Sequence, residues 1–248
     1  MKDTHIHSGF LPHTKSGLYD MVKTAHEVGL KEITIVEHFD WLAIKHPEKT
    51  DRETLRPEQL TYYMGAVTAC RYAFPIKITV GLEVDYFLEY KQEIKEFLQP
   101  YNFEQLTGSC HYLLEDNKYV FLKNVNFNSP EIYECYFATV KEAVESKMFY
   151  QIAHVDQFKK YMKKYDKDIS APYITNILKA MIVNNVGLEV ILKGIEDVGE
   201  TYPSVETAKE YLKIGGQKLT LGSDAHSADG IKRSVEYNKK VCEEIYGQ

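Results

Sequence analysis

Short β-branched or alternating apolar runs recur along the chain, each followed by a stretch whose apolar positions repeat every three to four residues. Asp3–His7 reads as the first strand. Leu18, Met21, Val22, Ala25 and Val28 then mark a helix that Gly29 stops. Glu32–Val36 is a β-branched second strand, and Pro57–Phe74 a helix with proline suited to its first turn. Ile76–Val84 predicts the third strand and Leu88–Leu98 a helix. Phe103–Cys110 predicts the fourth strand, with an irregular stretch to about Ser129 and a helix over Pro130–Ser146. Phe149–Ala153, Gly187–Leu192 and Lys218–Leu221 predict the remaining strands. Their helices fall at about Ala171–Asn184, Ser204–Ile214 and Gly230–Tyr246, and a basic segment, Lys159–Lys167, follows the fifth strand.

Strand and helix alternate seven times, which argues for a parallel sheet closed by crossover helices. Eight units are usual for such a barrel, and an eighth is not found here. The expectation is therefore an α/β fold, a distorted (β/α)7 TIM-like barrel, with residues 1–248 as a single domain.

With 44% hydrophobic and 27% charged residues, the 248-residue chain has the composition of a globular protein with an adequate core. A formal net charge of −6 argues against a nucleic-acid partner or an acidic membrane surface. No run of eighteen apolar residues and no signal-like hydrophobic region is present, so a cytoplasmic protein is expected. Cys70, Cys110, Cys135 and Cys242 lack paired spacing and read as reduced thiols.

The nine histidines change the picture. Residues two apart on a strand face the same side, so His5 and His7 aim two imidazoles at one point. The later strands end similarly: Glu37-His38 on the second, Glu83 on the third, His111 on the fourth, His154 on the fifth, Asp224 and His226 on the seventh. In a parallel barrel these ends share one face. So many ionisable groups on an apolar-walled rim would conflict unless divalent cations took their lone pairs. His13, on the first loop, is one more candidate, whereas His26 and His46 lie off the strand ends and read as surface residues.

The set His5-x-His7, His13, Glu37-His38, Glu83, His111, His154 and Asp224-x-His226 resembles the PHP (polymerase and histidinol phosphatase) superfamily through nearly the whole chain. Gly81–Phe87, Gly108–Tyr112 and Tyr202-Pro203-Ser204 resemble its histidinol-phosphatase branch. The resemblance implies a trinuclear centre of zinc, iron or manganese. His5, His7, Glu83 and Asp224 would hold one ion. Glu83, His111 and His154 would hold a second, and His13, His38 and His226 a third.

It further implies hydrolysis of a small phosphate monoester, L-histidinol phosphate, by a hydroxide bridging two metals, as part of histidine biosynthesis. Glu83, Asp224 and His226 would be catalytic, with Asp224 or a metal-bound water protonating the leaving group. Glu37 and Asp40 are candidates to orient the histidines. Lys159, Lys160 and Arg233 are candidate phosphate-binding residues, lysine acting as a point charge rather than a fork. After the sixth strand, Glu189-Val190-Ile191-Leu192-Lys193 departs from the branch's Asn-Thr-like pair, which bears on the organic part of the substrate. The alternatives are another PHP phosphoesterase, acting on a nucleotide, a phosphotyrosine protein or another small phosphate, and a non-catalytic structural PHP module. An amidohydrolase barrel also opens with His-x-His, but it uses a strand-end lysine where this chain has Glu83. Oligomeric state is left open.

Overall fold

The computed structural model describes residues 1–115, 118–127 and 130–247. Strands β1 (Lys2–His7), β2 (Glu32–Val36), β3 (His38–Phe39), β4 (Lys77–Asp85) and β5 (Gln105–Ser109) come first, then the hairpin β6 (Tyr112–Glu115) and β7 (Lys118–Phe121). Strands β8 (Gln151–Ile152), β9 (Gly187–Ile191) and β10 (Leu219–Gly222) complete the set. The parallel sheet runs β1-β2-β4-β5-β8-β9-β10, with β3 continuing the line of β2 against β4. Ile6 bridges Ala225 in parallel sense, and Asp224 N–H donates to the His5 carbonyl at 2.9 Å. This brings the last strand back to the first and makes a nearly closed barrel of seven strands, as the alternating pattern predicts.

Seven helices follow the barrel strands: α1 (Leu18–Glu27), α3 (Leu60–Ala73), α4 (Lys91–Leu98), α5 (Pro130–Glu145), α6 (Lys167–Asn184), α8 (Val205–Lys213) and α9 (Ala228–Tyr246). Two short helices, α2 (Trp41–Lys45) and α7 (Gly194–Val198), lie in the loops after β3 and β9. Met21, Val22 and Ala25 of α1 are buried, at the three-to-four spacing that predicted the helix. Ser204 caps α8 by accepting from Thr207 N–H, and Ser227 caps α9 by accepting from Gly230 N–H. No helix among the described residues is long and apolar enough to cross a membrane.

Three parts of the sequence reading need correction. Part of the stretch expected to be irregular up to Ser129 is the β6–β7 hairpin, across which the Tyr112 and Phe121 rings pack; residues 116–117 and 128–129 lie outside the described residues. Helix α6 begins at Lys167 rather than Ala171, because the Asp166 carboxylate accepts from Asp168 and Ile169 N–H and caps it earlier. The helices expected at Pro57 and Leu88 open as single 3-10 turns.

Gly222 ends β10 directly against β1. A Cβ there would lie 2.5 Å from His5 Cβ and 2.9 Å from Glu189 Oε1, so only glycine lets the two strand ends meet. Gly222→Ala is expected to lower stability by about 1–3 kcal/mol through overpacking. A urea titration monitored by circular dichroism checks this; an unchanged midpoint would show that the contact can relax.

Candidate metal centre

The nine candidate ligands meet in the C-terminal mouth of the barrel. Ligand atoms of His5, His7 and Glu83 lie within 4.8 Å of one another, as do those of Glu83, His111 and His154, and those of His7, His13, His38 and His226. Glu83 therefore belongs to two groups and His7 to two. Asp224 joins through its Oδ1, 3.1 Å from His7 Nε2. The His7 and His226 rings stack with centroids 3.9 Å apart.

Strand geometry explains the convergence. His5 and His7 share one face of β1, and the register of β4 sets Glu83 beside His38 and Thr107. His154 and Asp224 follow β8 and β10 in left-handed conformation, with φ of 36° and 56°. That backbone is uncommon outside glycine, and here it turns both side chains back into the mouth rather than on into a helix.

Burial and charge divide the histidines into two kinds. Burial opposes a charge on His7, yet the Asp224 and Glu37 carboxylates overcome it and push its pKa up to about 9. His5 is likewise raised well above its usual range, by Glu189 and Glu83 against the cost of burial. In contrast, burial, with the nearby Arg52 charge, holds His38 and His111 well below theirs. Burial and the neighbouring His7 bring His226 down to about 4. Neutral imidazoles have a lone pair ready for a cation; His5 and His7 would have to release protons to bind one. Burial would raise Glu83 and Asp224, but the histidines around each outweigh it and hold both well below the carboxylate range. Asp224 is therefore ionised, a state that suits a cation ligand rather than a proton donor.

Metal ions fit this set. His5 Nε2 is buried without a hydrogen bond and faces Glu83 Oε2 at 3.6 Å, an oxygen that is itself buried without one. An orphaned buried nitrogen beside a desolvated carboxylate oxygen is costly, and a divalent cation would remove the cost. The mixed imidazole and carboxylate donors suit zinc, iron or manganese.

Around these side chains stand carboxylates whose roles the strand pattern did not reveal. Glu189, wholly buried on β9, accepts from Thr4 Oγ1 and from His5 Nδ1 at 2.9 Å. It holds His5 with Nε2 turned inward. Asp85 does the same for His111, with Oδ1 2.7 Å from Nδ1 and 3.2 Å from the backbone N–H. Asp3 ties β1 to the end of β10, accepting from His5 and Ser223 N–H, and its pKa is raised by burial to about 6. Glu37 accepts from Ser8 N–H, Ser8 Oγ and Phe10 N–H and so shapes the loop carrying His13. Asp40 caps α2 through Ala43 N–H and accepts from Tyr112 Oη at 2.6 Å.

A buried acid among apolar strand residues was a signal for Glu189, one that its reading as part of a departure from the branch overlooked. Asp85 stood in a quoted motif without a role. Arg52, whose guanidinium lies against His38 and His111, left no sequence signal at all.

Of the three phosphate-binding candidates, Lys159 is tied up by acceptors of its own, whereas Lys160 acts electrostatically on His111 and Arg233 borders Asp224 and His226. Lys159 is buried, its Nζ donating to Asp156 Oδ2, Glu200 Oε1 and the Thr201 carbonyl at 2.9–3.0 Å. Lys160 lies over the Tyr161 ring at 5.1 Å. Arg233 donates to Glu196 at 2.7 Å and lines, with Asp224, His226 and Lys193, a cavity of about 230 Å³. His26 is exposed, and His46 is half-buried beside Glu48. All four cysteines are free.

Known proteins share both sequence and architecture with this chain. A model of the PHP domain matches residues 3–191. The histidinol-phosphatase of Bacillus subtilis is 25% identical over 272 residues, covering 97% of this chain and 99% of that protein. The histidinol-phosphatase of Lactococcus lactis subsp. lactis is 25% identical over 236 residues, covering 91% and 84%. The crystal structure of Lactococcus lactis histidinol phosphate phosphatase, complexed with zinc, L-histidinol and phosphate, superposes with a TM-score of 0.79 at 22% identity, covering 97% of this chain and 93% of that one. The chain belongs to the PHP domain family.

Glu189→Gln would remove the charge that orients and polarises His5 while keeping the shape. Metal affinity is expected to fall about 10–100-fold with the fold retained. Competition with a chromophoric chelator measures this, and wild-type affinity would show that Glu189 is a core acid only.

Proposed function

We propose that this chain is a metal-dependent phosphomonoesterase that hydrolyses L-histidinol phosphate to L-histidinol and phosphate, a step of histidine biosynthesis. The observation that carries the reading is Glu83, a desolvated carboxylate shared by two imidazole sets in the mouth of a PHP-family barrel. Family membership and the histidinol-phosphatase relatives support the substrate.

His5, His7, Glu83 and Asp224 would hold one ion, Glu83, His111 and His154 a second, and His13, His38 and His226 a third. Divalent ions there would polarise the phosphoryl group, lower the pKa of water toward neutrality and offset the charge that builds at phosphorus. The protein's part is to hold this donor set rigid and dry. Glu83, His5, His7 and His154 are essentially inaccessible to solvent. His13 and His226 stand about a third exposed at the rim, which sets the side from which a phosphate dianion enters. Glu189 and Asp85 fix the imidazoles of His5 and His111 in advance, so little reorganisation of these two accompanies reaction. The four free cysteines suit a reducing, cytoplasmic setting.

A second reading, another small phosphate monoester, is favoured by the end of β9. Ile191 and Leu192 are buried there, and Lys193 is committed to Glu196 and Asp197. The two readings separate on a panel of phosphate monoesters assayed after metals are restored. Chelation is expected to abolish phosphate release, and zinc or manganese to restore it, with histidinol phosphate preferred over a generic aryl phosphate. Glu83→Gln is expected to lower kcat/KM on the order of 10³-fold, about 4 kcal/mol of transition-state stabilisation, with less bound metal. Preference for another monoester would move the assignment to the second reading. A metal-loaded protein that releases phosphate from no monoester would defeat both.

A further inference from the structure

We propose that Arg52, in the loop between α2 and α3, grips the phosphoryl group of the substrate. The inference rests on the phosphatase reading above and assigns to that site a binding residue. Arg52 sits beside the candidate ligands, its side chain 12% exposed. Nη2 lies 3.0 Å from His38 Nδ1 and 3.0 Å from His111 Nδ1, and so touches two of the three ligand groups. Among the described residues it is the basic side chain that hydrogen-bonds these imidazoles.

The donor count shows that the present partners of Nη2 are not its working ones. A guanidinium donates and never accepts. His111 Nδ1 is already engaged by Asp85 Oδ1 at 2.7 Å, and His111 Nε2 is the nitrogen that faces Glu83. His38 Nδ1 lies 2.8 Å from Glu83 Oε2, inside the ligand cluster. Once cations claim the lone pairs of that cluster, Nη2 has lost its acceptors. One neighbouring carboxylate oxygen, Asp85 Oδ2, has no other partner; it lies 3.5 Å from Nε and forms no hydrogen bond with it. Asp40 is committed to Ala43 N–H and Tyr112 Oη, and Asp85 Oδ1 to His111. Nε also carries no hydrogen bond. A buried cation with free, coplanar donors is matched by two oxygens of a phosphoryl group.

The surroundings keep the guanidinium in place beside cations. Asp85 Oδ2 lies 3.5 Å and Asp40 Oδ2 4.0 Å from Nε, which offsets its charge, and the Phe121 ring lies under it at 5.1 Å. Arg52 also lines an open cavity of about 320 Å³ with His13, His38, Phe121 and Lys123. A phosphate reaching His13 and His38 through that cavity passes the guanidinium. Of the three residues that the sequence nominated for this task, Lys159 is engaged with three acceptors and Arg233 with Glu196, and Lys160 lies over the Tyr161 ring.

The test compares the metal-loaded full chain with Arg52→Gln and Arg52→Lys. Metal per chain is measured by elemental analysis, inorganic phosphate affinity by calorimetry, and kcat and KM on a phosphate monoester. Arg52→Gln is expected to keep wild-type metal content, to weaken phosphate binding at least about tenfold, and to lower kcat/KM on the order of 10²-fold. Arg52→Lys keeps the charge without the fork and is expected to fall between, so it carries the test if the glutamine variant does not fold. Wild-type phosphate affinity in either variant, at full metal content, would overturn the assignment. So would a loss of metal in Arg52→Gln that Arg52→Lys restores, which would make Arg52 a support for the ligands. A loaded wild-type protein that binds no phosphate would instead defeat the phosphatase reading, and is seen without any variant.

Discussion

Glu83 is an ionised carboxylate sealed from water. Its Oε2 lies 2.8 Å from His38 Nδ1, its Oε1 3.0 Å from His154 Nε2, and His5 Nε2 stands at 3.6 Å. An unpaired charge in that position would cost several kcal/mol, so the histidines around it are a condition of its burial. They come from β1, from β3 and from the loops after β5 and β8. The barrel must bring distant strand ends within a side chain's reach of one oxygen pair before Glu83 is tolerable. Packing and chemistry thus impose the same demand on the fold.

A second ring of charge makes that arrangement specific. Glu189 and Asp85 each hold the Nδ1 of a histidine and so leave its Nε2 directed inward. Asp3 and Gly222 let β1 and β10 approach closely enough for the ring to close. Burial, helped by Arg52, keeps His38 and His111 neutral, while Asp224 and Glu37 draw charge onto His7 against the cost of burial. The mouth therefore holds both vacant lone pairs and compensating anions, the combination that receiving divalent cations needs. With divalent cations bound there, an acidic chain would present local positive charge to an anion.

The parts of this design differ in how far they could be seen without coordinates. Periodicity located the seven barrel strands and their helices, because buried strands and amphipathic helices write their faces into neighbouring residues. The β6–β7 hairpin escaped, since its register depends on Tyr112 meeting Phe121 and Phe87 rather than on local alternation. The short helices α2 and α7 are set by loop packing and have no repeat long enough to detect. Lys159 stands where the family resemblance implies an anion-binding side chain, yet folding surrounds it with Asp156, Glu200 and a carbonyl.

What the chain determined by itself is the list of candidate ligands and the barrel that carries them. Strand alternation and strand-end histidines are local properties, and a parallel barrel sends every such end to one face. What only the tertiary structure decided is which groups share atoms, which histidines are charged, and which charges support them. Glu189 lies 184 residues from His5 and Arg52 lies 59 from His111. Hydrogen bonds and desolvation act over a few ångströms in space, so their partners cannot be read from separation along the chain.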